Sequence, residues 1–118
     1  MKYAILIYGE ESAWNALSQE QMAGIYEAYG KYSKDLAGAG ILRGGSELKP
    51  TSTATTVRVR DGKTLTTDGP FAETKEQLGG FYLIETADLD SALAWAAKCP
   101  SAPFGSIEVR PLGMGSDE

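Results

Sequence analysis

The chain has 118 residues, 42% of them hydrophobic and 23% charged, with 11 basic against 16 acidic side chains and a net charge of −5. This is the composition of one ordinary globular domain that can bury a core, neither disordered nor embedded in a membrane. No apolar run approaches the roughly 20 residues that span a bilayer, and scattered basic residues on an acidic chain argue against direct nucleic-acid binding.

The N-terminus carries one charge and then the apolar run Tyr3-Ala4-Ile5-Leu6-Ile7-Tyr8. It is too short for a signal-peptide core and lacks a small-residue cleavage site, so a cytoplasmic protein is expected. The run is apolar on both faces and reads as a first, central strand. Trp14 and Leu17 fall in a short connection that covers an edge of the core. Ser18 followed by Gln21 forms a capping-box pattern. Met22, Ile25, Tyr26, Tyr29, Tyr32 or Ser33, and Leu36 then recur at helical spacing, which predicts a helix over 19–37. Gly24 and Gly30 inside that helix each cost up to about 1 kcal/mol relative to alanine, so they point to close approach of another backbone, or to a groove.

Gly38 and Gly40 end the helix. A second strand begins at Ile41-Leu42-Arg43 and is broken by Gly44-Gly45. Lys49-Pro50-Thr51-Ser52 reads as a turn. Residues 54–60 alternate, with Val57 and Val59 on one face and Thr56, Arg58 and Arg60 on the other. Asp61-Gly62 signals a tight hairpin with residues 63–67 as its returning strand. A two-residue turn places Leu65 on the arginine face and a one-residue bulge places it with the valines; the sequence leaves both registers open.

Phe81-Tyr82-Leu83-Ile84 has no polar face and reads as the most buried strand. Thr86 or Asp88 caps a second helix carrying the apolar stripe Leu89, Ala92, Leu93, Ala96 and Ala97, with Trp95 beside it, until Pro100 stops it. A last strand, residues 106–110, turns Ile107 and Val109 inward and Glu108 and Arg110 outward. The order β-α-β, hairpin, β-α-β predicts an α+β fold: a ferredoxin-like arrangement with an added hairpin and both helices on one face of an antiparallel sheet. Residues 1–112 form the single domain and 113–118 a flexible tail. The opposite sheet face, drawn from Tyr3, Ile5, Ile7, Phe81 or Tyr82, and Leu83 or Ile84, is too apolar for water and predicts a two-fold homodimer packed sheet on sheet.

Between the hairpin and the apolar strand lies Asp68-Gly69-Pro70-Phe71-Ala72-Glu73-Thr74-Lys75-Glu76. Pro70 fixes its own φ and pushes Gly69 out of the helical region, while Gly69 can take a positive φ, so the chain is steered into a bend. This motif, followed by Leu78-Gly79-Gly80-Phe81-Tyr82-Leu83-Ile84, Asp88-Leu89-Asp90, Ala92-Leu93-Ala94-Trp95-Ala96, Cys99-Pro100 and Gly105-Ser106-Ile107-Glu108-Val109-Arg110-Pro111, resembles the DGPF family of YCII-related proteins over essentially the whole chain. The resemblance implies a dimeric α+β barrel, two ferredoxin-like subunits with sheets face to face, enclosing a cleft near the dimer interface. It also implies a bacterial protein, in some members encoded beside or fused to an extracytoplasmic-function sigma factor. The related YCII branch carries a histidine–aspartate pair whose positions fall, by register, near Tyr29 and at Cys99.

This chain has no histidine. The pair therefore cannot be carried over, and Ser-His-Asp, Cys-His and histidine–zinc chemistry are excluded. The single Cys99 excludes an intrachain disulfide and reads as a small apolar residue at a helix end. Gly44-Gly45 and Gly79-Gly80 lack the context of a phosphate-binding loop. Acid–base work falls to Asp68 or Glu73, desolvated beside Pro70 and Phe71 in a cleft, and Lys75 or Arg58 can anchor an anionic group. Tyr29 or Tyr32 is placed to line a pocket, with Tyr29 taken as the ligand-binding candidate. A hard-metal site from Asp68, Glu73 and Glu76 has nothing to fix its geometry. The expected function is binding of an unknown small polar or acidic molecule, without cofactor, as an accessory or sensor factor. The alternative is a cofactor-free lyase or isomerase using carboxylate or tyrosine acid–base chemistry.

Overall fold

A computed structural model describes residues 1–113. The expected tail lies, from residue 114 onward, outside the described residues. Among them no helix is long and apolar enough to cross a membrane. The order is β1 (Lys2–Gly9), α1 (Glu11–Asn15), α2 (Gln19–Gly38), β2 (Leu42–Glu47), a 3-10 turn (Thr51–Thr53), β3 (Thr55–Arg60), β4 (Lys63–Asp68), β5 (Gln77–Glu85), α3 (Leu89–Ala97) and β6 (Ser106–Pro111). The four-stranded antiparallel sheet runs β2-β5-β1-β6, and β3 with β4 forms a separate two-stranded sheet. Without the hairpin, the strand order is that of an α+β fold of ferredoxin-like kind.

Both main helices start where their caps predict. The Ser18 side chain accepts from the Gln21 backbone while the Gln21 side chain accepts from the Ser18 backbone, and Asp88 caps α3 by accepting from Ser91 N at 2.8 Å. Thr86 instead donates to the Asp88 carbonyl. Residues 11–15, expected as a connection, form the short helix α1, whose Trp14 meets Tyr26 of α2 edge to face.

Tyr3, Ile5, Tyr32, Leu36, Ile84, Ala92 and Cys99 form the buried core, with Ile7, Tyr29, Leu42, Tyr82, Ile107 and Val109 packed against it. This assigns the faces of β1 differently from expectation. Tyr3, Ile5 and Ile7 look at the helices, and Ala4, Leu6 and Tyr8 look away. Across the ladder, Leu6 opposes Phe81 and Glu108, Ala4 opposes Leu83 and Arg110, and Tyr8 opposes Leu78. A strand apolar on both sides has no period-2 signal to reveal which face is which. β1 is also the more deeply buried strand, since Tyr3, Ala4 and Ile5 are all buried whereas only Ile84 of the 81–84 run is. The outward face of the sheet has an apolar centre, Ala4, Leu6, Leu78, Phe81 and Leu83, and a polar margin formed by Ser46, Glu108 and Arg110. The shortest dimension of the molecule, 19 Å, accommodates one sheet and one layer of helices.

The glycines divide sharply. Gly45 has φ +151, and a Cβ there would sit 2.6 Å from the Phe81 carbonyl oxygen. Only glycine lets β2 approach β5 so closely, and the strand continues through Gly44-Gly45 instead of breaking. A Cβ at Gly24 or Gly30 would meet nothing within 4 Å. The expected close backbone approach is absent among the described residues. In α3, Ala92 and Ala96 are buried, but Leu89 and Leu93 are each 46% exposed.

Candidate functional site

The turn Asp61-Gly62 has positive φ at both residues, 53° and 73°, the hairpin geometry that matches strand twist. It gives the strict two-residue register, with Arg60 opposite Lys63 and Arg58 opposite Leu65. Leu65 therefore shares the arginine face. Asp68 ends β4, and Gly69, at φ +98, makes the expected bend. The bend is braced at its base: Gly69 N donates to the Ala54 carbonyl at 2.7 Å and Thr56 Oγ1 donates to the Gly69 carbonyl at 2.9 Å.

A second brace ties the same region to α1. The Glu11 carboxylate accepts from Thr51 N at 2.8 Å and from Thr51 Oγ1 at 2.5 Å, and Glu11 N donates to Gln77 Oε1 at 2.9 Å. Gln77 Nε2 in turn donates to the Thr74 carbonyl, and Ser106 Oγ donates to Glu76 Oε1 at 2.7 Å. Partners separated by 40 and 66 residues leave no local pattern, so Glu11, Thr51 and Gln77 carry no signal in the sequence.

Among the expected site residues, Asp68, Pro70, Phe71, Glu73, Lys75 and Arg58 are all exposed in this chain, Phe71 at 78%. The Asp68 and Glu73 side chains have no hydrogen-bond or ion-pair partner among the described residues, and Lys75 makes a long, exposed pair with Glu10 at 3.9 Å. Glu76 is engaged by Ser106 and does not join Asp68 and Glu73. Among the described residues no three acidic or thiol side chains are grouped as metal ligands.

Tyr29 is placed elsewhere, in the helix layer, and no hydrogen bond or ion pair among the described residues links it to the 68–76 loop. Its hydroxyl lies 2.5 Å from Ser101 Oγ and 3.5 Å from Cys99 Sγ. Close by, Tyr32 donates to the Trp95 carbonyl at 2.8 Å, Ser33 Oγ lies 2.7 Å from Tyr82 Oη, and the Tyr32 and Tyr82 rings meet edge to face at 5.4 Å. Burial pushes the Tyr29 hydroxyl well above the ordinary tyrosine value, with the Cys99 contact acting in the same direction and Ser101 against it. Burial raises Tyr32 and Tyr82 as well. The cluster is thus a set of neutral hydrogen-bonding groups around a buried thiol.

A groove of about 780 Å³ runs between α2 and the end of α3, lined among others by Lys31, Lys34, Asp35, Trp95 and Lys98. Lys98 Nζ stands 4.7 Å over the Trp95 ring, and Lys31 pairs with Asp35 at 3.8 Å.

The sequence profile of the YCII-related domain family matches residues 1–113. The chain belongs to this family. An uncharacterized protein of Rhizobium meliloti (strain 1021) is 44% identical over 116 residues, which is 97% of this chain and 94% of that relative. In this YCII-related chain Tyr29, near the position that the resemblance gives to a histidine, and Cys99, at the position it gives to an aspartate, are in contact at 3.5 Å. The contact joins a thiol 2% exposed and a phenol whose ionisation burial suppresses.

Proposed function

We propose that this YCII-related protein is a DGPF-type homodimer that binds a small polar or acidic molecule, without cofactor, in a cleft near the subunit interface. The two sheets face each other in a dimeric α+β barrel, and the protein serves as an accessory or sensor factor in sigma-factor-linked regulation. The outward sheet face carries the reading. Its apolar centre and polar margin have the anatomy of a protein interface and are ill suited to lasting contact with water. Arg58 and Lys75 are the anchors for an anionic group, Pro70 and Phe71 supply apolar wall, and Asp68 and Glu73 set the polarity of the cleft.

Binding is favoured over catalysis by the condition of the acid–base candidates. Asp68 and Glu73 are exposed in the single chain, and among the described residues no hydrogen-bonding partner orients either of them as a general base would need. A cofactor-free lyase or isomerase draws its support from Tyr29 alone, a neutral donor that could hydrogen-bond a developing oxyanion.

Thermal-shift screening against a set of small polar and acidic metabolites tests the reading. At least one compound is expected to raise the melting temperature of the wild type, and to raise it less in Asp68→Asn or Glu73→Gln. A stabilising compound indifferent to both changes removes the loop from the binding site, and turnover of that compound without added cofactor favours the enzyme.

A further inference from the structure

The β3–β4 hairpin is not explained by the fold of a single chain. A lone two-stranded hairpin is marginal in water, yet among the described residues these strands pair only with each other and leave Val57 and Val59 each 59% exposed on one face. Leu65, on the other face, is 49% exposed, and Phe71 follows just beyond. The projection shows in the shape: the radius of gyration is 16.2 Å, against about 13.5 Å for a compact chain of this length.

The arm is nevertheless aimed. The Ala54–Gly69 and Thr56–Gly69 hydrogen bonds close its base, and the Glu11–Thr51 and Glu11–Gln77 contacts hold that base to α1. Buttressing of this kind fixes a direction, which a loose solvated hairpin would not need. Charge distinguishes the arm from the body as well. Residues 55–68 hold Arg58, Arg60 and Lys63 against Asp61 and Asp68, a net +1, and removing that from the chain total of −5 leaves −6 on everything else.

We propose that the hairpin is an intersubunit clasp whose Val57 and Val59 face packs on the body of a second copy of this chain. The inference rests on the homodimer proposed above and adds that the contact extends beyond the sheet faces to the arm. A second copy fits the requirement on two counts. Its body carries a net charge opposite to that of the arm, and two-fold symmetry lets one arm sequence supply both contacts. The 68–76 loop follows directly on the arm, so the clasp would fix that loop beside the partner as well.

The test compares the full-length wild type with Val57→Asp/Val59→Asp and, separately, Leu83→Arg on the sheet face, by sedimentation equilibrium across a dilution series. The arm variant is expected to raise the dimer dissociation constant at least about 100-fold, as losing two buried valines per arm implies, with an unchanged circular dichroism spectrum. A dimer weakened by Leu83→Arg but not by the arm variant overturns the clasp and leaves the dimer standing; a wild type monomeric at tens of micromolar overturns both. Should the arm variant misfold, mixed-isotope methyl NMR on the wild type decides. Val57 and Val59 methyl contacts to the other copy are expected, and contacts within one chain only, or none, overturn the clasp.

Discussion

At the scale of single residues, the central feature is a contact between a tyrosine hydroxyl and a buried thiol. Tyr29 and Cys99 are 70 residues apart and meet at 3.5 Å, with Ser101 completing the contact. Tyr29 could be singled out because it sits on the apolar stripe of its helix, yet it packs against the core and it is Tyr32 that lines the groove between α2 and α3; Ser101 carried no signal, because a serine in a turn has no periodicity. Burial favours the neutral phenol of Tyr29. Above pH 10.0, the ordinary tyrosine value, the unfolded chain releases this proton while the folded chain retains it. The contribution is therefore complete below about pH 10 and lost progressively as the pH rises further. Denaturant titrations at pH 8 and pH 11 should show the wild type losing stability over that interval and Tyr29→Phe losing less. The remainder belongs to Tyr32 and Tyr82, which are raised by the same cause. Equal losses in the two proteins would show that Tyr29 ionises in the folded state as readily as in the unfolded one.

At the scale of elements, local signals located most boundaries. The capping box at Ser18 and Gln21 starts α2 at the predicted residue, and Asp61-Gly62 makes the predicted turn. Glycine was the weaker guide, because a glycine costs the same helix propensity whether or not something presses against it. Gly45 is required by a carbonyl 2.6 Å from where its Cβ would be, while Gly24 and Gly30 are exposed with nothing within 4 Å. In an exposed helix interior, alanine removes backbone freedom from the unfolded state at no steric cost. Gly30→Ala should therefore stabilise the protein by about 0.5–1 kcal/mol, read as a higher denaturation midpoint with unchanged slope. Destabilisation would instead place another surface against this side of α2.

At the scale of the whole molecule, the sequence could show that the sheet is apolar on both faces but not which residues share a face, since parity is invisible in a strand without alternation. The ladder supplies that parity, and with it a specific expectation. Leu83 opposes Ala4 on one side and Gly44 on the other, at the centre of the face turned away from the helices. An arginine there can extend its charged end into water in a monomer, so the fold should tolerate it. In the proposed sheet-on-sheet dimer the same guanidinium would be desolvated without a partner, and association should fail. Because the proposed dimer would be stabilised by mass action, the wild-type melting temperature should rise with protein concentration over the micromolar range. That of Leu83→Arg should be lower and independent of concentration, at the mass of one chain in light scattering. A wild type whose melting temperature is already independent of concentration, and whose mass is that of one chain, would leave the apolar face without a dimer to bury it.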